Sequence, residues 1–287
     1  MSLLHVVILA IVQGLAELLP VSSSAHVVVA EKLMGLDPSS PPMTLLLVML
    51  HTGTMCAVIV YFWQQWRGAY FQSMAVFKDV AVNIVLATAL TGVVGEALVK
   101  VIEVTAFRDA PGAEIEDLFG RLEIVAPALA VGGLLILAAG IFLRRAPADL
   151  TTESTPLSRR QAGLIGTVQG LCLPFRGFSR SGATISVGVL AGVPKSAAEV
   201  FSFALAVVLT PPVIAREALR LGRAHLSHGT LLATVMPSLL GAVFAFLAGL
   251  LALKWLSRWL EGGRWYLFGI YCLVASGVVA LLHRAGY

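Results

Sequence analysis

Residues 13–26 bring an amide, a carboxylate, three hydroxyls and an imidazole into one short stretch: Gln13, Glu17, Ser22, Ser23, Ser24 and His26. Gln13 and Glu17 stand four apart, which puts both on one helix face. Pro20 then interrupts, and the serines supply hydroxyls ahead of a restarted helix with His26 in its first turn. A second break carries Pro174, Gly177, Ser179, Arg180, Ser181, Gly182 and Thr184, with a helix resuming near Ile185. A fresh helix N-terminus, hydroxyl donors and a guanidinium fork favour a multiply charged oxyanion such as phosphate. The first break offers a matching N-terminus after Ser24, and two such ends facing each other suit a diphosphate.

These groups sit in a chain that lipid must solvate. Of its 287 residues 58% are hydrophobic and only 13% charged, with a mean hydropathy of +0.88; ordinary soluble domains carry about 25% charged residues. A soluble enzyme is excluded, because so few charges cannot clothe a globule of this size against water. The net charge of +4 is modest and its basic residues are scattered near the ends of apolar runs, so nucleic acid is not an expected partner. Cys56, Cys172 and Cys272 lie far apart in apolar segments and read as small hydrophobes.

Six runs are long enough to span a bilayer, which takes about 20 apolar residues: 43–62, 80–101, 124–143, 197–219, 230–253 and 265–282. Two shorter stretches, 3–19 and 163–173, each meet a Pro/Ser/Gly break and continue as 25–34 and 183–191. Broken backbone is allowed at membrane depth only where protein or a cavity surrounds it, so both pairs are expected to be re-entrant helical hairpins. The amino terminus lacks a basic flank and a cleavage site, so it is expected to stay in the mature protein.

Residues 146–158 are the most linker-like, and they separate a first repeat, 1–145, from a second, 159–287. Val12-Gln13-Gly14-Leu15 recurs as Val168-Gln169-Gly170-Leu171, and Ser22-Ser23-Ser24-Ala25 is echoed by Ser179-Arg180-Ser181-Gly182-Ala183. Three spans per half is an odd number, so the second copy enters from the opposite side. The expected fold is an all-α membrane protein of six transmembrane helices and two re-entrant hairpins in an inverted-topology repeat, with a buried site near the midplane. The doublets Arg144-Arg145 and Arg159-Arg160 favour a cytoplasmic position, which turns the first hairpin outward.

Ionisable groups at membrane depth are costly and mark function by default. Glu17, Ser23, His26 and Arg180 are therefore the expected catalytic set. A structural Glu17–Arg180 ion pair is the chief alternative, since an arginine in lipid needs a partner. Gln13, Gln169 or Thr184 taken singly would suit structural bonding equally well. His51 is a secondary candidate inside a span, whereas Glu96 with Lys100, and Glu199, Arg216, Glu217, Arg220 and Arg223 near span ends, read as structural. Trp63, Trp66, Trp255, Trp259 and Trp265 read as an interfacial belt.

On these residues the chain resembles the bacterial undecaprenyl-pyrophosphate phosphatase family, of the bacitracin-resistance type, which recycles the lipid carrier of cell-wall synthesis. The segment from Gln13 through Glu17, Pro20 and Ser22-Ser23-Ser24-Ala25-His26 is similar to the family's glutamate motif, and Gly177-Phe178-Ser179-Arg180-Ser181-Gly182-Ala183-Thr184 to its arginine motif. The resemblance implies hydrolysis of undecaprenyl diphosphate at a periplasmic site in the inner membrane. It implies Gln13, Ser22, Ser24, Ser179, Ser181, Gly182 and Thr184 as substrate-binding groups. It also implies a divalent cation, Mg²⁺ or Ca²⁺, at Glu17 and Gln13. The partners expected are the polyprenyl diphosphate lipid, the bilayer and, as a candidate assembly, a second copy of the chain. Gln13 stands where many members carry a first glutamate, and Leu173-Pro174-Phe175-Arg176-Gly177 departs from a shorter proline-glycine approach. Within the hairpin junction Ser23, His26 or a metal-bound water could make the attack. A polyprenyl-phosphate transporter or flippase is the alternative, because broken helices in inverted repeats serve carriers too.

Overall fold

A computed structural model describes residues 2–37, 40–106, 115–145, 157–223, 228–260 and 264–287. These form ten α-helices: α1 (Leu3–Glu17), α2 (Ser23–Leu33), α3 (Pro41–Tyr70), α4 (Met74–Ala106), α5 (Leu122–Arg145), α6 (Arg159–Cys172), α7 (Arg180–Leu190), α8 (Lys195–Arg223), α9 (His228–Leu260) and α10 (Tyr266–Arg284), with a 3-10 turn at Ile115–Leu118. Stretches of six of them, α3, α4, α5, α8, α9 and α10, are long and apolar enough to cross a membrane. Each contains one of the six apolar runs and outruns it, because helix continues into the polar flanks where lipid gives way to water; the one exception is Trp265, which falls just before α10. Most of the linker, 146–156, lies outside the described residues, as do Arg108, Asp109 and Glu114. The side chains of Glu217, Arg220, Arg223, Trp255 and Trp259 fall outside the description too.

The short helices form two broken pairs, α1 with α2 and α6 with α7. Their ends are set by local chemistry. Ser158 caps α6 in a reciprocal box with Gln161, and Ser179 caps α7 by accepting from the Gly182 N–H at 3.1 Å. Between α1 and α2 the chain turns at Ser22, a non-glycine residue at φ 66°. Such a residue is held in the left-handed region at a cost of about 1–3 kcal/mol only where its surroundings fix it.

Small residues let the broken pairs sink into the bundle. α1 lies on α9 at Gly14, where an added methyl group would come within 2.5 Å of the Ala248 Cβ. α6 lies on α4 at Gly166, where a methyl would meet the Ala87 carbonyl oxygen at 2.3 Å, and Thr91 Oγ1 bonds the Gly166 carbonyl at 2.9 Å. Gly53 brings α3 equally close to α9, and Gly133, Gly140 and Gly269 bring α5 close to α10. Without a hydrophobic drive between helices in lipid, close backbone approach of this kind supplies the packing energy. The tips of both pairs then meet one core of Ala16, Val21, Ile136, Ile185, Val189 and Cys272.

One reading changes on the structure. Trp63 is half exposed, as a belt residue should be, but Trp66 and Trp265 are buried. Trp66 donates to the Val200 carbonyl and Trp265 to Ser186 Oγ, so both are tied to protein partners instead of the interface. Cys56 is exposed, unlike Cys172 and Cys272.

Gly53→Ala and Gly166→Ala are each expected to cost about 1–3 kcal/mol of stability through overpacking. Gly277→Ala, with no atom of the described residues within 4 Å of the new methyl, should be neutral or stabilising by up to about 1 kcal/mol. Thermal unfolding of the three variants in one detergent makes the comparison.

Candidate active site

Glu17 ends α1 with its side chain turned to the gap between the broken pairs, and only 5% of it is exposed. Four groups converge on its carboxylate. Arg180 Nη2 donates to Oε1 at 2.6 Å, and His51 Nδ1 lies 3.3 Å from the same oxygen. Ser23 Oγ donates to Oε2 at 2.5 Å, and Gln13 Nε2 at 2.8 Å. The i, i+4 spacing of Gln13 and Glu17 therefore does place both on one face, and the break at Pro20 folds Ser23 back onto them. Arg180 opens α7, so the first residue of one broken pair's second helix reaches the last residue of the other pair's first helix.

A cavity of about 240 Å³ opens beside this junction. Gln13, Glu17, Ser22, Ser23, Ser24, Ser179, Arg180 and Ser181 all line it, so most of the expected residues do meet. Ser22 and Ser24 face each other at 3.3 Å, which leaves the α2 N-terminus without a side-chain cap. Arg180 Nη1 is buried and has no hydrogen-bond partner among the described residues, although Nη2 is engaged.

Three expected residues stand elsewhere. Thr184 is fully buried against α8, bonded to Ser202 Oγ and to the Arg180 carbonyl. Gly182 contributes close packing: a methyl there would meet the Ile136 side chain at 2.6 Å and Ser179 Oγ at 2.9 Å. His26 turns away from the cavity to α10, with Nδ1 on the Ser22 carbonyl at 2.8 Å and Nε2 on the Tyr271 hydroxyl at 2.6 Å. A carbonyl can only accept, so Nδ1 carries a hydrogen, and Nε2 is paired with the Tyr271 hydroxyl.

His51, a secondary candidate in sequence, is part of the junction. Phe119 and Arg176 line the cavity, and Tyr271 holds His26. The signal for Arg176 was an arginine between Pro174 and Gly177 in a break. Phe119 and Tyr271 had none.

Among the described residues no three His, Cys, Asp or Glu side chains gather as a metal cage. The oxygens that a hard cation would find here are those of Glu17, Ser23 Oγ and Gln13 Oε1, the last buried without a hydrogen-bond partner among the described residues. One carboxylate with neutral oxygens fits a cation that completes its shell with phosphate oxygens.

Comparison with known proteins gives a consistent picture. The family profile described as "Bacitracin resistance protein BacA" matches residues 6–279. The chain is 57% identical over 290 aligned residues to Undecaprenyl-diphosphatase 2 of Acinetobacter baylyi, covering 98% of each. It is 35% identical over 287 residues to Undecaprenyl-diphosphatase 2 of Burkholderia orbicola, covering 96% of this chain and 95% of that one. It is 34% identical over 290 residues to Undecaprenyl-diphosphatase of Desulfosudis oleivorans, covering 95% of each.

Removing Glu17 strands a largely buried guanidinium, so Glu17→Ala is expected to cost about 3–5 kcal/mol. Arg180→Ala in the same chain should recover part of that loss. Thermal unfolding of wild type, both single variants and the double variant measures the coupling, and strictly additive losses would show that the two charges are independent.

Proposed function

The chain belongs to the bacitracin resistance protein BacA family, and from that membership we propose that its hairpin junction hydrolyses undecaprenyl diphosphate to undecaprenyl phosphate and inorganic phosphate. The observation that carries this is the four-point junction on Glu17, which joins a hydroxyl, an amide, an imidazole and a guanidinium at one cavity. Phosphoryl transfer asks mainly for positioning and charge stabilisation. Arg180 offers both: Nη2 stays on Glu17 while the unpartnered Nη1 takes a phosphoryl oxygen.

Ser23 is the nucleophile in this reading, because its hydroxyl already donates to Glu17 Oε2. Glu17 takes the proton as Ser23 Oγ bonds to the terminal phosphorus, and the bond from that phosphorus to the bridging oxygen breaks. Undecaprenyl phosphate departs, and water then cleaves the phosphoserine to give inorganic phosphate and return the proton. His51 and Gln13 hold the carboxylate in place throughout. A divalent cation, held by Glu17 and Gln13 with Ser23 nearby, would supply further charge stabilisation to the phosphoryl oxygens. His26, with its Nε2 occupied by Tyr271, serves to brace α2 against α10.

The two broken pairs are read as re-entrant hairpins and the two halves, 1–145 and 159–287, as inverted repeats joined by 146–158. Support comes from the packing: α1 lies on α9 as α6 lies on α4, and α5 pairs with α10 across the centre. The site then opens to the periplasmic side of the bacterial inner membrane, with the prenyl chain among the spans. Ser181 lines both this cavity and a larger one of about 1140 Å³ between α3, α4 and α8, and a polyprenyl-phosphate carrier is the alternative reading.

Purified protein in detergent should release phosphate from undecaprenyl diphosphate, and Glu17→Gln, Ser23→Ala and Arg180→Ala should each lower kcat roughly 10²-fold or more. Tyr271→Phe should stay within about tenfold of wild type. Loss in His26→Ala with full activity in Ser23→Ala would move the attack to His26. A chelator arm reads cation dependence, expected as a loss of activity restored by Mg²⁺ or Ca²⁺. No release from well-folded wild type, together with lipid movement in vesicles, would move the function to a carrier.

A further inference from the structure

The break between α6 and α7 carries a second arginine into the cavity that Arg180 occupies. The Phe178 N–H bonds the Phe175 carbonyl at 3.2 Å, closing a turn around Arg176 and Gly177. Gly177 adopts φ +109°, and a methyl there would sit 2.5 Å from the Val125 carbonyl oxygen, so the turn lies flat on α5. Arg176 is thereby buried, 9% exposed, on the cavity wall with Gln13, Glu17 and Arg180. Its guanidinium stacks over Phe119, 4.1 Å from the ring centroid, and the buried Glu31 of α2 feels its charge. An aromatic face and a nearby carboxylate fix a planar fork in place.

Charge gives this placement its meaning. Arg180 shares its charge with the Glu17 carboxylate, as Arg176 does with the more distant Glu31, and each guanidinium still has donors to offer an anion. Arg176 is the second cation on the wall. A diphosphate has two phosphoryl groups, and only the terminal one can sit at Ser23 and Arg180 if the bond to the bridging oxygen is to break.

We propose that Arg176 is a further substrate-binding residue, which grips the lipid-proximal phosphate of a polyprenyl diphosphate while Arg180 holds the terminal one. The proposal rests on the phosphatase reading above. It divides the cavity into a reacting subsite at Ser23 and Arg180 and a retained-phosphate subsite at Arg176. The two products then separate between the subsites: inorganic phosphate in the first, polyprenyl phosphate in the second.

The test is steady-state kinetics of the purified protein on undecaprenyl diphosphate, with undecaprenyl phosphate and inorganic phosphate as separate inhibitors. In Arg176→Gln the KM should rise roughly tenfold or more, the scale of one lost charge-assisted hydrogen bond. The inhibition constant of undecaprenyl phosphate should rise in parallel, while that of inorganic phosphate stays within about twofold and kcat within about threefold. Arg176→Lys, which keeps the charge without the fork, should fall between and carries the same comparison if the glutamine variant does not fold. An unchanged KM, or equal weakening of both inhibitors, would overturn the proposal, the latter being the mark of a merely structural arginine. Absence of phosphate release from wild type would instead remove the phosphatase reading, and this one with it.

Discussion

The ion pair between Glu17 and Arg180 ties together the tips of the two broken pairs, which a shared apolar core brings near but does not orient. Its two charges lie 163 positions apart, each at the broken end of a short helix. Neither is tolerable alone in a bundle whose outer surface is rich in exposed apolar side chains, because an unpaired charge in a low-dielectric interior costs several kcal/mol. Each broken pair must therefore stop where it does, with its end facing the other. Ser23, Gln13 and His51 then satisfy what the guanidinium leaves open on the carboxylate. A fully bonded carboxylate is rigid, and a rigid carboxylate can position a hydroxyl for attack.

The helices that carry the pair are held by backbone proximity. Gly14 and Gly166 let α1 and α6 press against α9 and α4, and Gly177 lets the second break lie on α5. Side chains of ordinary size at these points would push the broken ends outward by more than a hydrogen bond can follow. The glycines thus set the distance from Glu17 to Arg180 as surely as the charges supply the attraction. Ser22, at its positive φ, does the corresponding work in the first break: it reverses the chain so that Ser23 points back along α1.

Much of this was readable from sequence where the relation was local. The i, i+4 spacing of Gln13 and Glu17, the break at Pro20, and the serines after it determine their own geometry within a few residues. Arg180 was legible because an arginine in an apolar chain needs an acid, and Glu17 was the acid in the matching break. The six long helices followed from run length alone. What depended on distant packing was not readable. His51 reaches Glu17 only because α3 passes the end of α1, and His26 turns from the cavity because Tyr271, 245 residues away, offers a hydroxyl. Thr184 sits on a helix face that α8 covers, and Trp265 is buried for the same kind of reason. Periodicity tells which residues share a face, but not which neighbour that face will meet.

The separation of the two charges along the chain also bears on how the protein is made. A ribosome delivers Glu17 to the membrane long before Arg180 exists, and α3, with His51, is the next long helix to arrive. During that interval the carboxyl has serine, glutamine and imidazole partners but no guanidinium. α7 then brings the guanidinium, and α9, on which α1 and α3 both lie, completes the packing. The order of synthesis thus sets the order in which the surroundings of Glu17 are completed.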